Sequence, residues 1–248
     1  PHYVMNFKAM FQEKVIDYFL ADYACGRTPN PCVACNRYVK FEGLLQKAME
    51  IGAQYVATGH YARIEQDTVT GRFGLWKGVD THKDQSYALY HLNQHSLQHF
   101  MMPLGAYTKV ETRQMAEKLN LPVAHKPDSQ EICFVPNDDY KTYLKAHVPD
   151  CLRDGDIVDV KGRVLGHHEG VPLYTIGQRK GLGIAAEHPL YVVQLDMQKN
   201  RVVVGGNEDV FAAGLLAGDL NWIAMDTLAA PMQVSAKIRY GNREGRAE

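Results

Sequence analysis

The sequence lacks any apolar run approaching the roughly 18 residues that a membrane helix needs. It opens without a basic-plus-apolar leader, so the expected compartment is the cytoplasm and no membrane partner is expected. It lacks net charge: 27 Lys and Arg against 28 Asp and Glu leave −1, which removes any bulk electrostatic case for nucleic-acid binding and leaves only a local patch to make one. Cysteine is sparse and odd in number, five in 248 residues, which excludes a disulfide framework and points to metal, redox or nucleophile roles in a reducing compartment. There is no internal repeat and no low-complexity stretch. What remains is an ordinary core-forming balance, 46% hydrophobic and 22% charged.

Apolar residues recur at helical spacing over 7–23, with Gly26 as a stop. GRTPNPCVACNRYVKF follows. Its turn formers place Cys32 and Cys35 on a loop leading to a helix over 41–51. Tyr55–Thr58 reads as a short buried strand that delivers Gly59 and His60 to a strand's carboxyl end, where ligands bind in open α/β sheets. A hairpin is expected over 61–66 and 72–77, helical segments over 84–92 and 94–100, and a capping box at Thr108–Glu111 opening a further helix. A short helix over 138–146 ends this α/β part. From 155 to 205 the pattern turns to short β runs with a hairpin near Lys199 and Asn200, and LNWIAM and MQVSAKIRY are strand candidates beyond them. The expected boundaries give domains 1–147, 148–208 and 209–248.

Cys32 and Cys35 form a C-x-x-C, which can be half a zinc site, an iron–sulfur ligand pair or a redox dithiol. No second close pair exists for a zinc ribbon, and the pair does not follow a first strand as in thioredoxin-like proteins. A thiolate nucleophile with a distant partner remains. Cys133 is the candidate, on a polar loop with Asp128 and Ser129 upstream. Cys25 and Cys151 read as buried thiols acting as small hydrophobes. TGHYAR offers Gly, His and Arg at a strand end, or a structural histidine. KDQSYAL reads as a polar helix entry or as capping by Asp84. YTIGQRKGLG resembles a backbone-phosphate loop, with a basic hairpin tip as the equal alternative. Lys237, Arg239, Tyr240, Arg243 and Arg246 mix basic and aromatic groups in a way that suits a polynucleotide, or a solvated strand face.

GRTPNPCVACNRYVKF, ATGHYAR, KDQSYAL, DSQEICF and YTIGQRKGLG, in this order, resemble the tRNA-specific 2-thiouridylases. The resemblance implies an α/β fold: a Rossmann-like PP-loop domain, incomplete here, then a small β-rich central domain and the start of a C-terminal β-barrel. It implies ATP-dependent 2-thiolation of wobble uridine, with ATP and Mg2+ as cofactors and with tRNA and a sulfur-donor protein (a cysteine desulfurase or a sulfur-relay protein) as partners. By motif position Cys133 matches the persulfide cysteine and Cys35 the second catalytic cysteine, the pair ending as a disulfide. Asn30, Pro31 and Cys32 match the loop that meets the target base. Gly59 matches a nucleotide contact, and His60, Lys83, Asp84, Gln85, Arg239 and Tyr240 match tRNA contacts.

Two departures from the family pattern stand out. Cys32 occupies a position where many relatives carry Asp, which makes an iron–sulfur cluster or a metal on Cys32, Cys35 and Cys133 an alternative. The family's SGGxDSS pyrophosphate loop is not in this sequence, and both chain ends read as cuts within a longer protein. The expectation is therefore that these 248 residues alone bind tRNA weakly without thiolating it, and that 7–23 and 55–58 expose apolar faces. A non-catalytic tRNA-binding module is the alternative of a different class.

Overall fold

A computed structural model of the chain describes residues 1–127 and 132–248. It is a mixed α/β structure in two compact units, each assembled from separated stretches: Pro1–Phe7, Cys32–Asp128 and Asp219–Glu248 in the first, Lys8–Pro31 and Ser129–Gly218 in the second. Among the described residues no helix is long and apolar enough to cross a membrane.

The first unit is organised around helix α2 (31–50), which runs through Pro31–Ala34, a π-wound stretch Cys35–Gly43 and Leu44–Glu50. Proline suits the first helical position because its fixed φ is already helical and its missing N–H would have no partner there. The helix therefore starts at Pro31, ten residues before the expected position, and Cys32 and Cys35 lie in its first turns and not on a loop. Phe41 and Leu45 turn inward and join Ala62, Leu89, Leu92, Leu97, Phe100 and Met102 in one core. Phe41 is 1% exposed, and removing a ring of that size from water contributes about 2–3 kcal/mol.

Two short parallel strands, β1 (Val56–Ala57) and β4 (Phe100–Met101), pair Val56 with Phe100, and the Thr58 amide extends the ladder to the Met101 carbonyl at 2.9 Å. The expected hairpin is present as β2 (Ala62–Gln66) against β3 (Phe73–Lys77). Helix α3 (Gln94–His99) starts on an Asn93 cap, and α4 (Lys109–Lys118) starts on the capping box formed by Thr108 and Glu111. The segment 84–92 is not a full helix: only a 3₁₀ stretch, Ser86–Leu89, forms. Residues 219–248 contribute a two-stranded hairpin, β9 (Val234–Ala236) with β10 (Gly245–Ala247). LNWIAM is not a strand, because the Arg72 and Gln94 side chains take the Ile223 carbonyl that a strand partner would need.

The second unit holds α1 (8–24, π-wound over Gln12–Asp17), α5 (Tyr140–His147) and a four-stranded sheet in the order β6 (Val164–His168), β5 (Gly155–Asp159), β8 (Arg201–Gly205), β7 (Tyr191–Asp196). β5 and β8 are parallel, and the other neighbours are antiparallel. The β7–β8 hairpin turns at Asn200, whose φ of 50° falls where asparagine is tolerated. Val15 and Phe19 of α1 are 1% and 0% exposed. Phe19 meets Phe134 edge-on at 5.3 Å and Tyr143 at 6.3 Å. Val15 and Phe19 of the 7–23 face are thus covered from within the chain, contrary to expectation, whereas Tyr18 is exposed as expected. Among the described residues no sheet closes into a barrel.

Candidate functional site

In the first unit, the Cys35 side chain is half-buried and that of Cys32 is exposed, one helical turn apart on α2. A sulfur at the start of a helix lies where the macrodipole favours an anion. The pair therefore does open a helix, an arrangement the turn formers before it concealed.

Below the cysteines, the helix is tied to its surroundings by polar and aromatic contacts that sequence reasoning missed. Asn36, only 4% exposed, donates to the Ala88 carbonyl at 3.2 Å and so links the cysteine helix to the KDQSYAL segment. Phe41 packs against two imidazoles, 5.4 Å from the His60 ring and 6.1 Å from that of His91. Burial, helped by Lys40, pushes His60 down to about 4. Burial, with Arg37 and then His60, does the same to His91. Both are neutral at pH 7. His60 Nδ1 pairs with Thr58 Oγ1 at 3.0 Å, whereas neither ring nitrogen of His91 has a partner among the described residues.

Gly59 is exposed immediately after β1, and a Cβ there would meet Leu104 at 3.6 Å, so the backbone is open to a ligand. Asp84 and Gln85 are internally engaged. Asp84 accepts from the Gly78 amide at 2.9 Å and from Ser86 Oγ at 2.8 Å. Gln85 is hydrogen-bonded to the Tyr61 backbone. They fix the loop that carries Lys83, whose amide donates to the Asp80 carbonyl at 3.1 Å. Tyr240 is 54% exposed, with its ring 6.3 Å from that of Tyr87, and Lys237 Nζ lies 5.3 Å from the Tyr240 ring centroid and 5.9 Å from that of Tyr87. Arg239 is exposed beside this aromatic pair.

In the second unit, Asn30 is exposed and Pro31 is buried. Cys133 is exposed while its neighbours Ile132 and Phe134 pack against the core, which holds the thiol outward. Asp128 and Ser129 of the DSQEICF loop lie outside the described residues. Cys25 is exposed and Cys151 half-buried, so neither is a fully buried thiol; Cys25 caps the end of α1, its amide donating to the Ala21 carbonyl at 3.1 Å. Among the described residues no group of three or more His, Cys, Asp or Glu side chains is gathered to hold a metal ion.

Residues 1–137 match the family described as tRNA methyl transferase HUP domain, and residues 141–206 match the tRNA methyl transferase PRC-barrel domain. The class is therefore a HUP domain joined to a PRC-barrel domain. The chain is 55% identical over 241 residues to the tRNA-specific 2-thiouridylase MnmA of Heliobacterium modesticaldum, covering 97% of this chain and 63% of that protein. It is 52% identical to the protein of the same name from Carboxydothermus hydrogenoformans and 51% identical to that of Clostridioides difficile, each over 97% of this chain and 66% of the relative. The chain belongs to the tRNA-specific 2-thiouridylase family, and it spans just under two thirds of the length of these relatives.

Proposed function

We propose that this chain carries the thiol chemistry of an ATP-dependent tRNA 2-thiouridylase acting on wobble uridine in the cytoplasm. The observation that carries the reading is the match to MnmA proteins over 97% of the chain, with both motif cysteines of α2 in its first turns. The family description speaks of methyl transfer and the relatives' names of thiolation. The exposed thiol of Cys133 and the half-buried thiol of Cys35 favour sulfur.

In this reading the uridine C2 oxygen attacks the α-phosphorus of ATP, N3 gives up its proton, and pyrophosphate leaves. The terminal sulfur of a persulfide on Cys133 then attacks C2, and AMP departs with the oxygen. Cys35 thiolate attacks Cys133 Sγ. The S–S bond breaks with its electron pair on the sulfur at C2, N3 regains a proton from water, and the two cysteines end as a disulfide. A dithiol reductant returns them to thiols. The outward thiol of Cys133 suits loading by a sulfur-donor protein. Gly59 lets the nucleotide approach the backbone. Asn30, Pro31 and Cys32 meet the base, and His60, Lys83, Asp84, Gln85, Arg239 and Tyr240 meet the tRNA. In this reading ATP enters with Mg2+; among the described residues no group of three or more His, Cys, Asp or Glu side chains gathers to hold an iron–sulfur cluster.

The same reading divides the chain at 1–147, 148–208 and 209–248, with the last stretch beginning a β-barrel. The family matches change over between 137 and 141, several residues before the first of these boundaries. The test is incubation of the full-length protein with unmodified tRNA, ATP and a persulfide donor. Mass spectrometry of the wobble nucleoside separates sulfur-for-oxygen exchange from an added methyl group, and unmodified or methylated uridine overturns the reading.

A further inference from the structure

The loop 174–183 of the second unit passes through three left-handed glycines, Gly177, Gly181 and Gly183, with φ of 84°, 76° and 68°. It is nonetheless braced at every turn. Gln178 Oε1 accepts the Thr175 amide at 3.1 Å, and its Nε2 donates to the Lys180 carbonyl at 2.9 Å, closing the loop into a ring. The Gly177 amide donates to the Val192 carbonyl at 2.7 Å, and the Val192 amide donates to Gln178 at 3.0 Å, which pins the ring to β7. Thr175 Oγ1 lies 3.2 Å from Thr28 Oγ1, two residues before Asn30. Tyr174 and Leu182 are buried at either end.

Between these anchors stand Arg179 and Lys180, both exposed. Among the described residues neither makes an ion pair. Arg179 borders an open groove of about 580 Å³ lined onward by Gly181, Leu182 and Ile184, in which Glu187 is the carboxylate. Two adjacent unpaired cations repel each other, and a mobile loop would let them separate. A rigid one keeps them together, ready for a polyanion, at little further loss of entropy on binding.

We propose that Arg179 and Lys180, presented by Gln178, hold the sugar–phosphate backbone of the tRNA as it passes the Thr28–Pro31 segment. The proposal rests on the reading of this protein as a tRNA-modifying enzyme. It adds a second anchoring point, in the other unit, to the Lys83 and Arg239 contacts.

The test is tRNA affinity of the full-length protein against KCl concentration, for the wild type, for the double variant Arg179→Gln with Lys180→Gln, for the exchange Arg179→Lys with Lys180→Arg, and for Gln178→Ala. Thermal melts check folding. Each phosphate contact contributes roughly 0.7–0.9 to the slope of log affinity against log salt. The double glutamine variant should flatten the slope by about 1.4–1.8 and the exchange should keep it, with a several-fold weaker Gln178→Ala. A folded double variant with the wild-type slope overturns this proposal alone. A wild type that binds no tRNA at any salt overturns it together with the functional reading.

Discussion

Gln85 and Tyr61 hold each other at two points: the Gln85 side-chain oxygen accepts the Tyr61 amide at 3.0 Å, and the Gln85 amide donates to the Tyr61 carbonyl at 2.9 Å. The pairing fastens the Lys83–Gln85 turn beside His60, so that sites far apart in sequence become one surface. Gln85→Ala leaves the amide of buried Tyr61 without its acceptor, which should cost about 1–3 kcal/mol. Gln85→Glu retains an acceptor and should recover most of it. Urea unfolding of both variants checks this; equal losses would mean that the oxygen of Gln85 is not what matters.

The two imidazoles packed against Phe41 make stability depend on pH. Their folded values near 4 lie below the ordinary 6.5, so between those values the unfolded chain binds more protons and stability falls as pH falls. From pH 7 to pH 5 each fully shifted imidazole should remove about 2 kcal/mol. His91→Leu removes one titrating group and two unpartnered nitrogens. It should be neutral or stabilising at pH 7 and should lose less stability at pH 5 than the wild type. An identical loss in both proteins would contradict the assignment.

Gly105 sits against the β2 backbone, where a Cβ would overlap the Ala62 carbonyl oxygen. Its own carbonyl accepts the Val79 amide at 3.0 Å, so the turn cannot simply move away. Gly105→Ala should lower stability by about 3 kcal/mol, at the upper end for overpacking, because the neighbour is backbone. A denaturation midpoint unchanged from the wild type would show that the turn can shift.

Local chemistry was readable from sequence wherever one short segment carried all the information. Thr108 and Glu111 form the expected capping box, with both bonds present, and Asn200 turns the expected hairpin. The start of α2 was hidden because wide π turns over Cys35–Gly43 break the 3.6-residue period, and because Pro31 serves equally as a turn former and a first helical residue. The partner of α1 was hidden for a different reason. Phe19 finds Phe134 and Tyr143 more than a hundred residues away, and a pattern of burial does not say what does the burying. The candidate site residues stood out as motifs, whereas Asn36 and His91, which pack beside them, look like ordinary polar residues in a segment expected to be helical.

The most direct test of the account is the wobble nucleoside made by full-length protein carrying Cys35→Ser, Cys133→Ser or Cys25→Ser, given ATP, unmodified tRNA and a persulfide donor. In the proposed mechanism Cys133→Ser would remove the sulfur carrier and Cys35→Ser the thiol that opens the S–S bond, whereas Cys25 would lie outside both steps. Mass spectrometry should find 2-thiouridine from the wild type and from Cys25→Ser and none from the other two. Normal 2-thiouridine from a folded Cys35→Ser or Cys133→Ser protein would contradict the two-thiol mechanism.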